Sequence, residues 1–143
     1  MTGANQHGGL IAIDGAGILI LGPARSGKSA LGLCLLRLAR REGHDATLVA
    51  DDQVLLSAQA GRLIGRAPDS LAGLMEISGV GILRMPHAPE APVVLAVSLS
   101  DDPPRMPDAP ALTLHGVSVR QLHLPARQAS LSAEVVLTIL TAG

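Results

Sequence analysis

Apolar residues fall along this chain in short blocks separated by turn residues, and these blocks predict a mixture of strands and helices. Two apolar runs flank Asp14-Gly15, which is a strong turn signal, so a hairpin is predicted over 9–22. A second hairpin over 54–68 is predicted to turn at Ala60-Gly61. The continuous apolar run 18–21 in the first hairpin is typical of a central strand that is buried on both faces.

Apolar spacing and stop signals predict two longer helices. The first covers 26–41 and is ended by Gly43, and the second covers 129–140. Apolar residues recur at helical spacing in the second helix, at Leu131, Val135, Val136, Ile139 and Leu140. The other predicted elements are a strand over 46–52, a short helix capped by Asp69 and running through Met75, a strand over 92–100, a proline-rich loop over 101–110, and two short strands around Gly116. The pattern is that of one α/β domain without an internal repeat.

Composition narrows the class of protein. The chain has 143 residues, of which 48% are hydrophobic and 16% charged, so it suits one domain with a sizeable core. Its net charge of -1 gives no indication of a nucleic acid or membrane partner. The first residues lack the basic and apolar regions of a signal peptide, and a single cysteine excludes an internal disulfide, so a cytoplasmic protein is expected.

Aromatic residues are absent, and this bears on ligand binding. Without Phe, Tyr or Trp the core must be aliphatic. A bound base could not stack on an aromatic side chain, so any affinity for a nucleotide would depend on contacts with its phosphates.

The stretch 22–29, GPARSGKS, matches the phosphate-loop pattern G-x-x-x-x-G-K-[ST] in full. Glycines allow backbone N–H groups to converge on phosphate oxygens, and the N-terminus of the following helix favours the same anion. A chance turn at a helix start is the competing interpretation, but the position between an apolar strand and a helix favours phosphate binding. The residues predicted to surround the phosphates are Gly22, Pro23, Ala24, Arg25, Ser26, Gly27, Lys28 and Ser29. Arg25 is either a phosphate contact or an exposed loop arginine.

Asp51 and Asp52 end an apolar strand about two dozen residues after Lys28. An aspartate at a strand end beside a phosphate loop commonly holds Mg²⁺. Adjacent strand residues point to opposite sides, so two consecutive carboxylates are expected to divide their roles unless the strand has ended or bulged. One would face the metal and the other an acceptor hydroxyl; the alternative is a solvated strand end.

Several motifs then occur in an order that resembles the C-terminal catalytic domain of HPr kinase/phosphorylase. They are His7-Gly8, the phosphate loop, LVADD over 48–52, and MEISGVGIL over 75–83. The resemblance implies a P-loop domain of the HPr kinase and phosphoenolpyruvate carboxykinase type, with a mixed sheet, β-hairpins and flanking helices. It implies a single kinase domain over 1–143, similar to the short members that consist of the catalytic domain alone.

The resemblance also implies residue roles. Members phosphorylate a serine on HPr, a phosphocarrier of the bacterial sugar phosphotransferase system, and many reverse the reaction with phosphate, releasing pyrophosphate. The implied catalytic residues are Asp52 as the base, Lys28, His7 and Arg105, and the implied Mg²⁺ ligands are Ser29, Asp51 and Glu76. Ser78 replaces an arginine usual in the family, and LPARQ over 124–128 only faintly matches the segment tied to phosphorolysis, so the kinase direction is the better supported.

The implied cofactors are ATP and Mg²⁺, and the implied partner is an HPr-like carrier protein. Members of the family form rings of six, so a homo-oligomer is expected. Two other functions stay open at this point. A small-molecule kinase would use the same loop with a lid and an acceptor pocket, and a nucleotide-responsive regulatory module would bind without catalysis, an option that Ser78 keeps open.

Overall fold

The computed structural model describes residues 3–106 and 110–142, and its largest feature is a curled mixed sheet with both helices on one face. Within the described residues the elements are β1 (Ala4–His7), β2 (Gly9–Ile13), β3 (Ala16–Leu21), α1 (Lys28–Arg41), β4 (Ala46–Ala50), β5 (Gln53–Gln59), β6 (Arg62–Arg66), a 3-10 turn (Asp69–Leu71), β7 (Leu74–Ile77), β8 (Gly81–Arg84), β9 (Ala91–Ser100), β10 (Ala111–Leu114), β11 (Val117–Pro125) and α2 (Ala129–Thr141). The α/β class is therefore confirmed.

The sheet runs in the order β1-β5-β6-β9-β3-β2-β4, with β11 and β10 added beside β9. Strand β9 is its hub, since it pairs in parallel with both β3 and β11 and meets β6 in antiparallel fashion at its first residues. All other neighbouring strands of the sheet pair in antiparallel fashion, and β7 and β8 form a separate two-stranded hairpin. This order places the ends of β3, β4 and β9 around the start of α1.

Both predicted hairpins are present. They could be predicted because each turn depends on two adjacent residues. Asp14 and Gly15 have φ of 50° and 83°, and Ala60 and Gly61 have φ of 53° and 78°. Two successive residues with positive φ give the turn whose twist matches that of paired strands.

Alternation along the strands builds two cores, one on each face of the sheet. Ile11 and Ile13 of β2 face α1 and α2, whereas Leu10 and Ala12 pack on the opposite side against β5 and β6. Both sets are nearly inaccessible to solvent. Neither helix is long and apolar enough to cross a membrane in the part of the chain described.

Three predicted elements differ from the structure. Helix α1 begins at Lys28, two residues later than predicted, because Gly27 takes a left-handed φ of 91° and belongs to the loop. The predicted short helix is only a 3-10 turn over Asp69–Leu71, and the chain then turns at Gly73, with φ of 77°, into β7. The strand predicted over 46–52 ends at Ala50.

The second helix is correct in position, and its predicted apolar stripe is correct in part. Val136 of the predicted stripe is buried, and Ile139 and Leu140 pack against the core, but Leu131 is 53% exposed. The buried face also carries Ser132, Ala133 and Leu137. Of the proline-rich loop predicted over 101–110, residues 107–109 lie outside the described part.

Candidate active site

The loop between β3 and α1 has the glycine positions that its motif predicts. Gly27 has a φ of 91°, which glycine adopts without strain because it has no Cβ, whereas other residues would be strained there. A Cβ on Gly22 would lie 2.6 Å from the Ser26 hydroxyl and 3.1 Å from Leu99, so the loop closes against the end of β9. The N–H of Leu31 donates to the Gly27 carbonyl at 2.9 Å, which starts the helix directly behind the loop.

Lys28 places its ammonium group over this loop. Its ammonium donates to the carbonyls of Gly22 and Pro23, at 2.9 and 3.0 Å. The side chain therefore folds back across the loop, where the charge of an ammonium favours a bound anion.

Asp51 is a buried carboxylate at the helix start, 7% exposed. The Ser29 hydroxyl donates to its Oδ1 at 2.8 Å, and the Glu76 N–H donates to its Oδ2 at 3.0 Å. Burial raises the pKa of Asp51, and the two hydrogen bonds act in the opposite direction. A cation bound beside this carboxylate would favour its ionised form and offset the effect of burial.

The donor set fits Mg²⁺ rather than a metal held by the protein alone. Among the described residues no group of three or more His, Cys, Asp and Glu side chains is arranged to hold a metal ion. Mg²⁺ is usually bound by one or two carboxylates together with substrate phosphates and water. The Ser29 hydroxyl and the Asp51 carboxylate supply hard oxygen ligands of that kind. Glu76 reaches Asp51 through its backbone, and its exposed side chain lines the same pocket.

Asp52 faces a different neighbour. The strand has ended, and Asp52 adopts a left-handed φ of 74°. Its Oδ1 lies 3.0 Å from Nε2 of His7, and its backbone carbonyl accepts the N–H of Gly8 at 3.0 Å. Strand β1, which the sequence did not predict, places His7 there by pairing it with Gln53. Both side chains are more than half exposed.

These groups surround one pocket of about 520 Å³. It is lined by His7, Ala24, Arg25, Gly27, Lys28, Ser29, Ala30, Leu33, Cys34, Asp51, Asp52, Glu76, Ile77 and Ser78. Most of the site residues predicted from the sequence are therefore brought together. Gly22, Pro23 and Ser26 shape the loop without lining the pocket.

Arg105 is not brought to this pocket. It lines a smaller cavity beside β11, together with Arg120 and His123. Sequence reasoning also missed part of the pocket wall. Leu33 and Cys34 lie one turn beyond Ser29, and with Ala30 they share the i, i+3, i+4 face of α1, so helical spacing was a signal that could have found them.

The strand, the glycine loop, the Lys and Ser at the helix start and the strand-end carboxylate together define a domain of the P-loop class. Comparison with protein families carries this further. The model of the HPr Serine kinase C-terminal domain matches residues 2–88, and the chain belongs to this family.

Individual relatives agree with this assignment. The chain is 34% identical over 103 residues to HPr kinase/phosphorylase of Mycoplasma mycoides, covering 67% of this chain and 31% of that protein. It is 45% identical over 78 residues to the Peptoclostridium acidaminophilum protein of the same name, covering 54% and 23%. The chain thus spans a third or less of these curated relatives. The solved structure of the Hpr(Ser) kinase/phosphatase from Coxiella burnetii matches with a TM-score of 0.78 and 28% identity over 97% of both chains.

Proposed function

We propose that this chain is an ATP-dependent serine kinase domain, spanning residues 1–143, that phosphorylates an HPr-like phosphocarrier protein in the cytoplasm. One observation carries the proposal. A single pocket holds the phosphate loop with Lys28, the buried Ser29–Asp51 pair, and the exposed His7–Asp52 pair. Phosphoryl transfer needs these three parts: a phosphate cradle, a metal position and a group that accepts a proton. The names of the similar proteins support the choice of acceptor.

The loop and Lys28 would bind the phosphates of ATP. Backbone N–H groups at the start of α1 face the anion, and the lysine ammonium stabilises negative charge on the transferred group. Ser29 and Asp51, with the nearby Glu76 carboxylate, would hold Mg²⁺. When bound, this metal neutralises charge on the phosphate oxygens.

Asp52 would act as the general base. As the serine oxygen forms its bond to the γ-phosphorus and the bond from phosphorus to ADP breaks, the serine proton passes to the Asp52 carboxylate. His7, 3.0 Å away, would orient that carboxylate. The exposed position of the pair suits a protein acceptor, whose serine must reach the base from outside.

The reverse reaction, phosphorolysis of phosphorylated HPr, is the second part of the proposal. In this direction a phosphate oxygen would bond to the phosphorus of phosphoserine while the bond from phosphorus to the serine oxygen breaks. Protonated Asp52 would return its proton to that serine oxygen, and pyrophosphate would leave. Ser78 lines the pocket with a hydroxyl where the family usually has a cation, so less charge is available to stabilise two phosphates. We therefore place the kinase direction first. Arg105 stays a prediction from the resemblance and takes no part in this mechanism.

The test is transfer of label from [γ-³²P]ATP, with purified HPr, with HPr whose acceptor serine is replaced by alanine, and without HPr. Lys28→Ala is the inactive control, and Arg62→Ala, an exposed arginine on β6, is the matched surface control. Label on HPr that requires the serine and Lys28 supports the proposal. Label on a small molecule supports the metabolite kinase instead. ATP binding with no transfer supports the regulatory module. Ultracentrifugation tests the ring of six that the resemblance implies.

A further inference from the structure

The segment LPARQ over 124–128, which only faintly matches the family segment tied to phosphorolysis, contacts the backbone of the phosphate loop. Between β11 and α2, the backbone N–H of Arg127 donates to the Ser26 carbonyl at 2.9 Å. The Nη1 of the same residue donates to the Arg25 carbonyl at 3.2 Å. Two successive peptide groups of the loop are therefore held by one residue.

Arg127 is itself anchored at several points. Its Nη2 forms an ion pair with Asp101, which directly follows β9. The preceding residue, Ala126, donates its N–H to the Ser100 carbonyl at 2.8 Å. The Cα and N of Arg127 lie 3.5 Å from the point where a Cβ on Gly27 would be, so the segment packs against the loop there. The loop is thus connected to the end of β9, the hub of the sheet.

These contacts fix the direction of loop N–H groups. In a trans peptide the C=O and N–H point in opposite directions. Holding the Ser26 carbonyl towards Arg127 therefore turns the Gly27 N–H to the other side, and Gly27 lines the pocket. The Arg25 carbonyl belongs to the peptide whose N–H, on Ser26, donates to the Pro23 carbonyl at 3.2 Å. Arg127 does not itself line the pocket.

We propose that Arg127 is a positioning residue that preorganises the phosphate loop for ATP, with Asp101 holding its guanidinium in place. This inference rests on the proposed function, since it needs a nucleotide at the loop. A loop held in its binding geometry loses less conformational freedom when phosphate binds, so loss of Arg127 should weaken the affinity for ATP. The affinity for the protein acceptor should not change.

The test compares Arg127→Ala, Arg127→Lys, Asp101→Asn and the double variant with the parent and with Arg62→Ala. Calorimetry gives the Kd of ATP, and steady-state assays separate the KM of ATP, the KM of HPr and kcat. We expect Arg127→Ala to raise the Kd and KM of ATP roughly three- to tenfold, the size of one partly exposed charged hydrogen bond. The KM of HPr stays at the parent value. Lysine restores part of the affinity, because its ammonium can still donate to the Arg25 carbonyl.

Asp101→Asn is the second arm and leaves the Arg127 backbone untouched. It should raise the Kd of ATP in the same direction by a smaller factor, and the double variant should match Arg127→Ala alone, because both changes break one network. If Asp101→Asn tightens ATP binding, Arg127 is a phosphate contact restrained by Asp101, and the positioning role is wrong. Unchanged Kd with a lower melting temperature also overturns it, as a merely structural role. Failure of the parent to bind ATP overturns the proposed function instead.

Discussion

Replacing Asp52 by asparagine tests the assignment of the base, and the structure predicts a narrow effect. The left-handed backbone at this position, with φ of 74°, is one that asparagine adopts readily. Its side-chain oxygen can still accept from His7, and the Gly8 N–H still bonds the backbone carbonyl. The side chain is 63% exposed, so folding stability should change by less than about 0.5 kcal/mol. Only the capacity to accept a proton is removed.

The magnitude separates two roles for this carboxylate. Loss of a general base costs about 10²- to 10⁴-fold in rate, equivalent to roughly 2.7–5.5 kcal/mol of activation free energy. Loss of an exposed pair with His7 is worth at most about 1 kcal/mol, which is under tenfold. We therefore expect Asp52→Asn to lower kcat at least a hundredfold, while His7→Ala lowers it about tenfold or less. The Kd of ATP should stay near the parent value in both.

The assay pairs calorimetry of ATP binding with the initial rate of HPr phosphorylation. Asp69→Asn is the control, because it makes the same chemical change at an exposed residue of the 3-10 turn, outside the pocket. An Asp52→Asn enzyme that phosphorylates HPr at the parent rate would show that the serine proton goes elsewhere. A large loss in the Asp69 variant would mean that the assay reports general damage.

Three further changes probe the loop, the metal position and the fold. Lys28→Ala should weaken ATP binding at least tenfold and abolish transfer, and calorimetry showing parent affinity would refute the phosphate site. Asp51→Asn should raise the Mg²⁺ concentration for half-maximal activity at least tenfold; an unmoved titration curve would make Asp51 a structural residue only. The hydrogen bond from His44 lowers the pKa of Asp14 below its ordinary value of 3.8, so the carboxylate stabilises the fold above that pH and loses this effect as pH falls through the lowered pKa. Asp14→Asn should accordingly have a lower melting temperature than the parent at pH 7, and the two melting temperatures should become equal in acid. If they differ by the same amount at both pH values, the effect comes from the conformation of the turn and not from the charge of Asp14.

Elements whose signals are local could be predicted from the sequence. The Asp14-Gly15 turn, the phosphate loop and the stop at Gly43 each depend on residues within a few positions, and each has the predicted form. The family assignment was likewise predicted from short motifs in order and is confirmed by the family match over 2–88.

Elements that depend on distant contacts could not be predicted in the same way. In strand β7 the Glu76 N–H donates to the carboxylate of Asp51, which lies 25 positions earlier in the chain. The position of β7 therefore cannot be predicted from its own residues. Leu131 has the spacing of the buried positions yet is exposed, whereas the polar Ser132 is buried, and periodicity alone does not distinguish the two. The contact of Arg127 with the loop joins residues 102 positions apart, so the residues around Arg127 do not predict it.

The adjacent aspartates show how one backbone feature produces two chemical environments. Strand alternation predicted that Asp51 and Asp52 would differ, yet β4 ends at Ala50, before either residue. The two residues instead follow the strand end: Asp52 takes a left-handed φ and lies exposed beside His7, whereas Asp51 is buried against Ser29. Burial raises the pKa of Asp51, and a bound cation would offset that effect, while exposure leaves Asp52 accessible to a protein substrate. The division of labour between the two carboxylates therefore begins where β4 ends, at Ala50.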